Sequence, residues 1–523
     1  MRHREVLILL EILQLLVGLS LSLLVIAGYR SVRRRSAALA AILAVGILSR
    51  VIIGLTLFAI SYLELPILRS LQAGYGFWQI AVDANRYYFY AIAAIQEGIF
   101  SFDYTPSGSP FFVRILAIWL ILAGESPVAG LSLNVCTYVA TCVLIVRAFE
   151  PLNDWRQDLP CLIAVGAYSF WPAIFIHGTQ PLKDDVFFAL IALACVSLLI
   201  LLRALVYGRR AAGSFAAIAV ALAAVLVSSF GLAGIRWYFP IIVCGALLSV
   251  FALFLLRGRL TSLPFYVAGS ASLVLAVWLA AGGFKNFASG FLFSSGGESP
   301  IGMLRSIDDI PSALVAMMRM ARAQFLLAGG NTNIAKPLRE GIGGDGIRRR
   351  PQTLWGTVPG HPELKETVVD FDSPLSDVEL SAMRATPQTA GEHVRAAARG
   401  LTVVFVPISL LQAISFVEFS SGRGVLPIAD LDTVFQDVAL VSLLAVMWTR
   451  RRSIGTRLPF VLFCLILAGA TALLLAYVVT NYGTLFRMRP MMAIPLCVLV
   501  VALSPRGDAA GAAAKLRARL AVT

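Results

Sequence analysis

The stretch SVRRRSAALAAILAVGILSRVIIGLTLFAI, residues 31–60, decides the fold class: three consecutive arginines are followed by an apolar run whose one ionisable residue is Arg50. Roughly 20 apolar residues carry a helix across a hydrocarbon core of ~30 Å. Lys and Arg in the flanking short loop hold that end on the cytoplasmic side. The pattern recurs along the chain, with apolar runs at 5–29, 37–60, 130–148, 161–176, 185–206, 214–233, 238–256, 263–281, 433–449, 458–480 and 488–503. If these eleven runs alternate across a bilayer, the basic clusters at Arg30–Arg35, Arg147–Arg156, Arg203–Arg210, Arg257–Arg259, Arg450–Arg457 and Arg506–Arg519 all fall on one side. Arg2 and Arg4 break the pattern, which leaves open whether 5–29 crosses fully.

Composition bounds the rest. With 59% apolar and 14% charged residues and a mean hydropathy of +0.83 over 523 positions, the expectation is one all-α polytopic membrane protein, not a string of soluble domains. The net charge of +14 sits mostly in the cytoplasmic loops, where it sets orientation and meets anionic lipid; it implies no nucleic acid partner. The first residues show no small-residue cleavage site after a short apolar core, so no cleaved signal peptide is read there. The seven cysteines all lie in or beside apolar runs and suggest neither a disulfide framework nor a metal site.

The expected organisation is an N-terminal membrane module (1–281), a large extracytoplasmic loop (282–400), a C-terminal membrane module (401–503) and a cytoplasmic tail (504–523). Function is sought in the outward segments 61–129, 177–185 and 282–400. In the first, Pro110–Ala123 is apolar but too short to span and reads as an interfacial helix. The third has helix-like stretches at 311–327 and 376–399, Gly/Pro-rich stretches at 329–346 and 351–360, and little strand signal. The run 401–416 reads as re-entrant or interfacial, because a crossing there would put Arg450–Arg452 outside.

Asp83 opens a helical stretch in which Asp83, Tyr87 and Ala91 share a face, with Arg86 beside it. A carboxylate at the outer membrane surface is placed to take a proton from a hydroxyl; its plainer role is to complement a helix dipole. In 177–185, HGTQPLKDD, the residues Lys183, Asp184 and Asp185 sit at a helix start, where the acids suit the dipole and Lys183 suits an ion pair. A lysine on the outer face nonetheless runs against the topological bias. So do Arg236 in GIRWY and Arg487 and Arg489 in YGTLFRMRP, and a guanidinium is well suited to phosphate or to a lipid headgroup. Arg487 and Arg489 are two apart, so on a regular helix they point some 200° from each other. His177 reads as a ligand, a base or a local hydrogen-bonding residue, and Arg50 as the partner of Glu11 in a buried ion pair.

The order of these features resembles the GT-C superfamily of polytopic glycosyltransferases. The resemblance is carried by Asp83 with Tyr87 and Ala91, Ser109-Pro110-Phe111-Phe112, Gly124-Glu125-Ser126 before Leu133-Asn134, Trp171-Pro172 to Lys183-Asp184, and Asn481-Tyr482-Gly483-Thr484 with Arg487 and Arg489. The last two segments look like the protein mannosyltransferase and aminoarabinose transferase group. The resemblance covers 37–250 and 430–503 and leaves 282–400 unmatched. It implies transfer of a sugar from a polyprenyl-phosphate donor to a lipid, glycan or protein acceptor, at the extracytoplasmic face of a plasma membrane such as the bacterial inner membrane. Asp83 would be the catalytic residue; Lys183, Arg236, Arg487 and Arg489 would hold the donor phosphate; Arg86, Tyr87, His177 and Asp184 would support them. Many members carry paired acids in this loop, whereas Asp83 is followed by Ala84-Asn85, so no cofactor is assigned and a divalent metal stays open. Two rival readings are a polysaccharide polymerase or ligase of the same fold, and a lipid or glycan flippase, which would gather its ionisable residues near the midplane.

Overall fold

A computed structural model describes residues 23–100, 109–148, 155–205, 215–236, 239–256, 353–358, 361–369, 389–414, 426–451, 454–479 and 482–503. They are overwhelmingly helical. In chain order the helices are α1 (23–33), α2 (Ala37–Tyr62), α3 (Val82–Glu97), α4 (Pro110–Ala123), α5 (Pro127–Arg147), α6 (Trp155–Phe170), α7 (Pro172–His177), α8 (Lys183–Leu205), α9 (Phe215–Ile235) and α10 (Phe239–Leu256). Towards the C-terminus come α11 (Ala390–Phe405), α12 (Ile408–Ala413), α13 (Leu426–Thr449), α14 (Leu458–Val478), α15 (Tyr482–Met488) and α16 (Pro490–Ala502).

Among the described residues, seven helical stretches are long and apolar enough to cross a membrane: Ala37–Tyr62, Pro127–Arg147, Lys183–Leu201, Ile218–Ile235, Pro427–Thr449, Leu458–Val478 and Thr484–Ala502. Each falls on an expected run. The run 161–176 is corrected: α6 starts earlier, at Trp155, and stops at Phe170, because Pro172 disfavours helix at Trp171 and restarts the chain as the short α7. The runs 263–281 and most of 5–29, the helix-like stretch 311–327 and Glu11 lie outside the described residues. The stretch 376–399 is helical from Ala390, where Thr389 and Glu392 form a reciprocal capping box. Residues 401–416 make no span, since the chain breaks at Val406-Pro407 between α11 and α12.

Within 282–400 the expectation of little strand is overturned among the described residues. Thr353–Val358 and His361–Val369 pair as antiparallel strands β3 and β4. Their β-branched residues (Thr353, Thr357, Val358, Thr367, Val368, Val369) suit a pleated ladder, and the charges of Glu363, Lys365 and Glu366 mask that signal in a hydropathy reading.

Close helix contacts rest on small residues. A Cβ on Gly46 would lie 2.0 Å from the Tyr138 hydroxyl, and one on Gly54 would lie 2.7 Å from Leu131, so α2 and α5 approach along a glycine stripe. Arg50, fully buried on α2, donates Nη1 to the carbonyls of Gly46 (3.2 Å) and Ser169 (2.9 Å) and sits 3.8 Å from the Tyr138 ring centroid. A desolvated cation over an aromatic face contributes about 2 kcal/mol.

The bundle has two distinct ends. At one, Arg35 Nη1 donates to Val146 O (3.3 Å), joining the arginine-rich turn before α2 to the C-terminus of α5. At the other, the C-terminal turns of α2 hold the hairpin of β1 (Gln72–Gly74) and β2 (Phe77–Trp78): Ser61 Oγ donates to Phe77 O (2.7 Å) and Trp78 Nε1 to Leu57 O (2.9 Å). Gly76 turns this hairpin at φ +88°, with the Phe58 ring 2.2 Å from where a Cβ would sit, so neither its conformation nor its space admits another residue.

Candidate functional site: an ion-pair ladder at one end of the bundle

The β1–β2 hairpin fixes the start of α3 and with it Asp83, in the first helical turn. The segment before α8 is fixed from α5. Asn134 Nδ2 donates to Gly178 O (3.2 Å) and also to Gln180 O, and Gly130 leaves no room for a Cβ against Pro181 (2.5 Å). Gln180 Nε2 reaches Gly76 O (3.4 Å), which ties this segment to the hairpin. Two segments more than a hundred residues apart are thereby locked to one another, and Lys183 and Asp184 are delivered beside Asp83.

Four charges form a ladder. Arg487 Nη1 donates to Asp83 Oδ2 (2.7 Å); Arg487 Nε lies 3.0 Å from Asp184 Oδ2; Arg236 Nη2 donates to Asp184 Oδ1 (3.0 Å). Exposure grades along it. The side chains of Arg236 and Asp184 retain 7% and 5%, Arg487 retains 14%, and Asp83, at the open end, retains 42%. Charge-assisted bonds of this kind are about twice as strong as neutral ones, and pairing is what allows the inner charges to be buried at all.

Burial alone would raise the Asp83 carboxyl; the Arg487 guanidinium beside it and bonded to it, with Lys183 nearby, outweighs this and holds it below the usual carboxylate range. His177 ends α7, with Nδ1 on Ala173 O (2.8 Å) and its ring 5.6 Å from that of Phe486. Burial, then the charge of Arg487, lowers its pKa to about 4, so it is a neutral imidazole at pH 7. Lys183 Nζ bonds Ser109 Oγ and lies 5.5 Å from the Tyr87 ring centroid, and the Tyr87 hydroxyl is 3.4 Å from the same Ser109 Oγ.

Of the residues singled out by sequence, Asp83, Lys183, Asp184, Arg236 and Arg487 are brought together, with Tyr87 and His177 at the margin. Arg86 lies 5.8 Å from the Tyr90 ring and takes no part in the ladder. Arg489 is not in the cluster. It is fully buried, with Nη1 on Thr433 Oγ1 (2.6 Å), Nη2 on Val403 O (2.8 Å) and Nη1 3.6 Å from Asp432 Oδ2. Asp432 Oδ1 in turn accepts from Ala173 N (2.9 Å), capping α7. Arg50 is held by backbone carbonyls and Tyr138, so its buried charge has partners that the expectation of Glu11 did not include.

Sequence reading missed Asp432, and it named Ser109 only as the start of a motif, with no role at the site. An acid one residue outside an expected span was a usable signal for the first; a serine directly before a proline-started helix reads as an ordinary cap and gives none for the second. Among the described residues no three His, Cys, Asp or Glu side chains cluster as metal ligands would. No family model, curated protein or solved structure matches this chain.

Proposed function

We propose that the protein is a membrane glycosyltransferase of GT-C type, with about eleven spans on the alternation argument, that moves a sugar from a polyprenyl-phosphate donor to a lipid, glycan or protein acceptor at the extracytoplasmic face, with inversion. The observation that carries this reading is the convergence of Asp83, Lys183, Asp184, Arg236 and Arg487 at one bundle end. These residues come from four separated segments, and the basic-cluster reading puts all four segments on the same, outward side.

The proposed chemistry uses that arrangement. Asp83, the exposed end of the ladder, takes the proton of the acceptor hydroxyl; the oxygen attacks the anomeric carbon; the carbon–oxygen bond to phosphate breaks, and the polyprenyl phosphate leaves with one more negative charge than the diester had. Cations placed at the leaving group stabilise that added charge in the transition state. Asp184 is enclosed between Arg236 and Arg487 and keeps both guanidinium groups aimed along the ladder.

The test is the set of lipid-linked sugars that accumulates when the chain is deleted, followed by transfer from that donor by the purified protein. No accumulated lipid-linked sugar, and no transfer, would remove the reading. One observation favours a second reading, a lipid or glycan flippase: Arg50 is a fully buried charge inside a candidate span. Donor that crosses protein-containing vesicles without being consumed selects that alternative.

A further inference from the structure

The break between α6 and α7 leaves backbone groups inside the bundle without helical partners. Pro172 has no N–H to give to Tyr168 O, and Trp171 before it stands at φ −62°, ψ 118°, so the chain leaves the helix there. In an unbroken helix Ala173 N would donate to Ser169 O. Each meets a charged side chain instead. Ser169 O accepts from Arg50 Nη1 (2.9 Å), and Ala173 N donates to Asp432 Oδ1 (2.9 Å). Arg50 and Asp432 are both fully buried. Their signs match the two cut ends: a cation meets the carbonyl end of α6, and an anion meets the N–H end of α7.

Both side chains reach across the break. Arg50 lies 5.2 Å from the Phe175 ring of α7 as well as bonding Ser169 O of α6. On the α13 side, Phe435, three residues after Asp432, sets its ring edge-on to Trp171, with centroids 6.1 Å apart. Arg489 faces the other oxygen of Asp432, Oδ2, at 3.6 Å, so that pairing leaves the bond to Ala173 alone. Asp185, buried on α8, acts on Arg50 through space; its Oδ2 has no hydrogen-bond partner among the described residues, so it balances the cation without drawing Nη1 away from Ser169.

α7 is the rod between this break and the ladder. It ends at His177, whose ring lies 5.6 Å from that of Phe486, the neighbour of Arg487, and the 178–182 segment then delivers Lys183 and Asp184 at the start of α8. Six helical residues span about 9 Å, so a tilt of about 10° at the break carries the far end by more than ~1 Å. A displacement of that size in a positioned group costs about 10²-fold in rate.

We infer that Arg50 and Asp432 are a pair of positioning residues, a cation and an anion from two different helices that clamp the two cut ends of the α6–α7 break and so fix the angle at which α7 presents 177–185 to the ladder. The inference rests on the glycosyltransferase reading only for the rate that reports it. It also gives the buried charge of Arg50 a task that requires no transported ion.

The experiment is hydrogen–deuterium exchange of the full-length protein in lipid nanodiscs, run beside transfer from the donor that deletion identifies. Arg50→Met removes the donor to Ser169 O, and Asp432→Ala removes the acceptor from Ala173 N. In each, exchange across 172–182 should quicken by at least about tenfold, the effect of losing one charge-assisted hydrogen bond, while exchange in α14 stays at the wild-type rate and kcat per folded molecule falls. Arg50→Lys can still donate to Ser169 O and Asp432→Asn can still accept from Ala173 N, so each should recover part of both effects. The double variant should exchange little faster than the faster single one, because both act on one break, whereas two unrelated structural losses add. If Arg50→Met or Asp432→Ala does not fold, the Lys and Asn variants carry the test, with a smaller rise confined to 172–182. Exchange in 172–182 that is unchanged in folded variants, or raised equally in α14, overturns the clamp. Quickened exchange with unchanged kcat overturns the positioning role and leaves the glycosyltransferase reading intact. Absence of transfer by the wild type removes that reading, and the exchange rates still decide the clamp.

Discussion

Arg487 Nη1 and Asp83 Oδ2 lie 2.7 Å apart across 404 residues of sequence, so the candidate span Thr484–Ala502 and the start of α3 meet at the most exposed carboxylate of the ladder. For a base, this pairing cuts two ways: it keeps Asp83 ionised, and it lowers its proton affinity. Asp83→Asn should reduce transfer by about 10²–10⁴, the usual cost of losing a general base. Arg487→Gln leaves burial as the dominant influence on Asp83 and so raises its pKa. Since the base acts when deprotonated, the acidic limb of the kcat/KM profile should move to higher pH. An unmoved limb in Arg487→Gln would mean that Asp83 is not the titrating group.

Arg489, two residues on, should behave differently. It is enclosed by Asp432, Thr433 and Val403 O, far from the ladder in its bonding. Arg489→Gln strands Asp432 without its counter-charge, and breaking a buried pair from one side costs about 3–5 kcal/mol. The expected result is a large fall in thermal stability in detergent, with near-normal kcat per folded molecule. A stable Arg489→Gln protein with lost turnover would contradict the division between the two arginines.

That division shows what the sequence can and does not carry. The i, i+2 spacing is enough to say that Arg487 and Arg489 point to different sides of a helix. It does not say which one meets Asp83, because the answer depends on where α3 packs. Apolar length and basic flanks located the candidate spans from Ala37 onward, since crossing a bilayer is a property of local sequence. The break at Trp171-Pro172 was legible only as a proline, and the β3–β4 pairing only as scattered β-branched residues, because both are set by what comes next in the chain. Lys183, Arg236 and Arg487 stood out because each runs against the expected topological bias, and Asp83 because it opens a helix face shared with Tyr87 and Ala91. Ser109 obeyed one, and its diversion from capping to Lys183 exists only in three dimensions.

His177 supplies a pH-dependent term in stability. Its folded pKa, about 4, lies below the ordinary value of 6.5, so the unfolded chain binds the extra proton first. Stability from this group is therefore intact above pH 6.5 and is lost as pH falls from there towards about 4, by an amount on the order of 3 kcal/mol. Wild-type melting temperature in detergent should drop between pH 6.5 and 4.5, and His177→Gln should flatten that drop. An equally steep drop in His177→Gln assigns it to other groups.

Sidedness is open to a direct check. Tyr75, at the tip of the β1–β2 hairpin, is 40% exposed at the site end, while Ser31 lies within the arginine cluster Arg30–Arg35 at the other. With the native cysteines replaced, a thiol introduced at Tyr75 should react with an impermeant reagent added outside intact cells, and one at Ser31 only after permeabilisation. The reverse pattern inverts the whole topology.

Gly130 offers the most selective test of how the site is positioned. It lies on α5, outside the ladder, and its place opposite Pro181 is what lets the 178–182 segment settle onto α5 and present Lys183 and Asp184. Gly130→Ala introduces a Cβ 2.5 Å from Pro181 Cβ, a distance the two atoms do not tolerate, and a proline ring has no flexible end that can swing away. The segment must therefore lift by roughly an ångström. A shift of ~1 Å in a positioned group costs about 10²-fold in rate, while the helix gains from replacing glycine by alanine up to about 1 kcal/mol. Gly130→Ala should thus lower kcat sharply with little loss of melting temperature. Pro181→Ala does not undo the clash, because the methyl it leaves is the atom already in contact, whereas Pro181→Gly removes that atom and should recover part of the lost rate in the double variant. Normal turnover in Gly130→Ala alone would show that the segment carrying Lys183 and Asp184 need not sit where α5 places it.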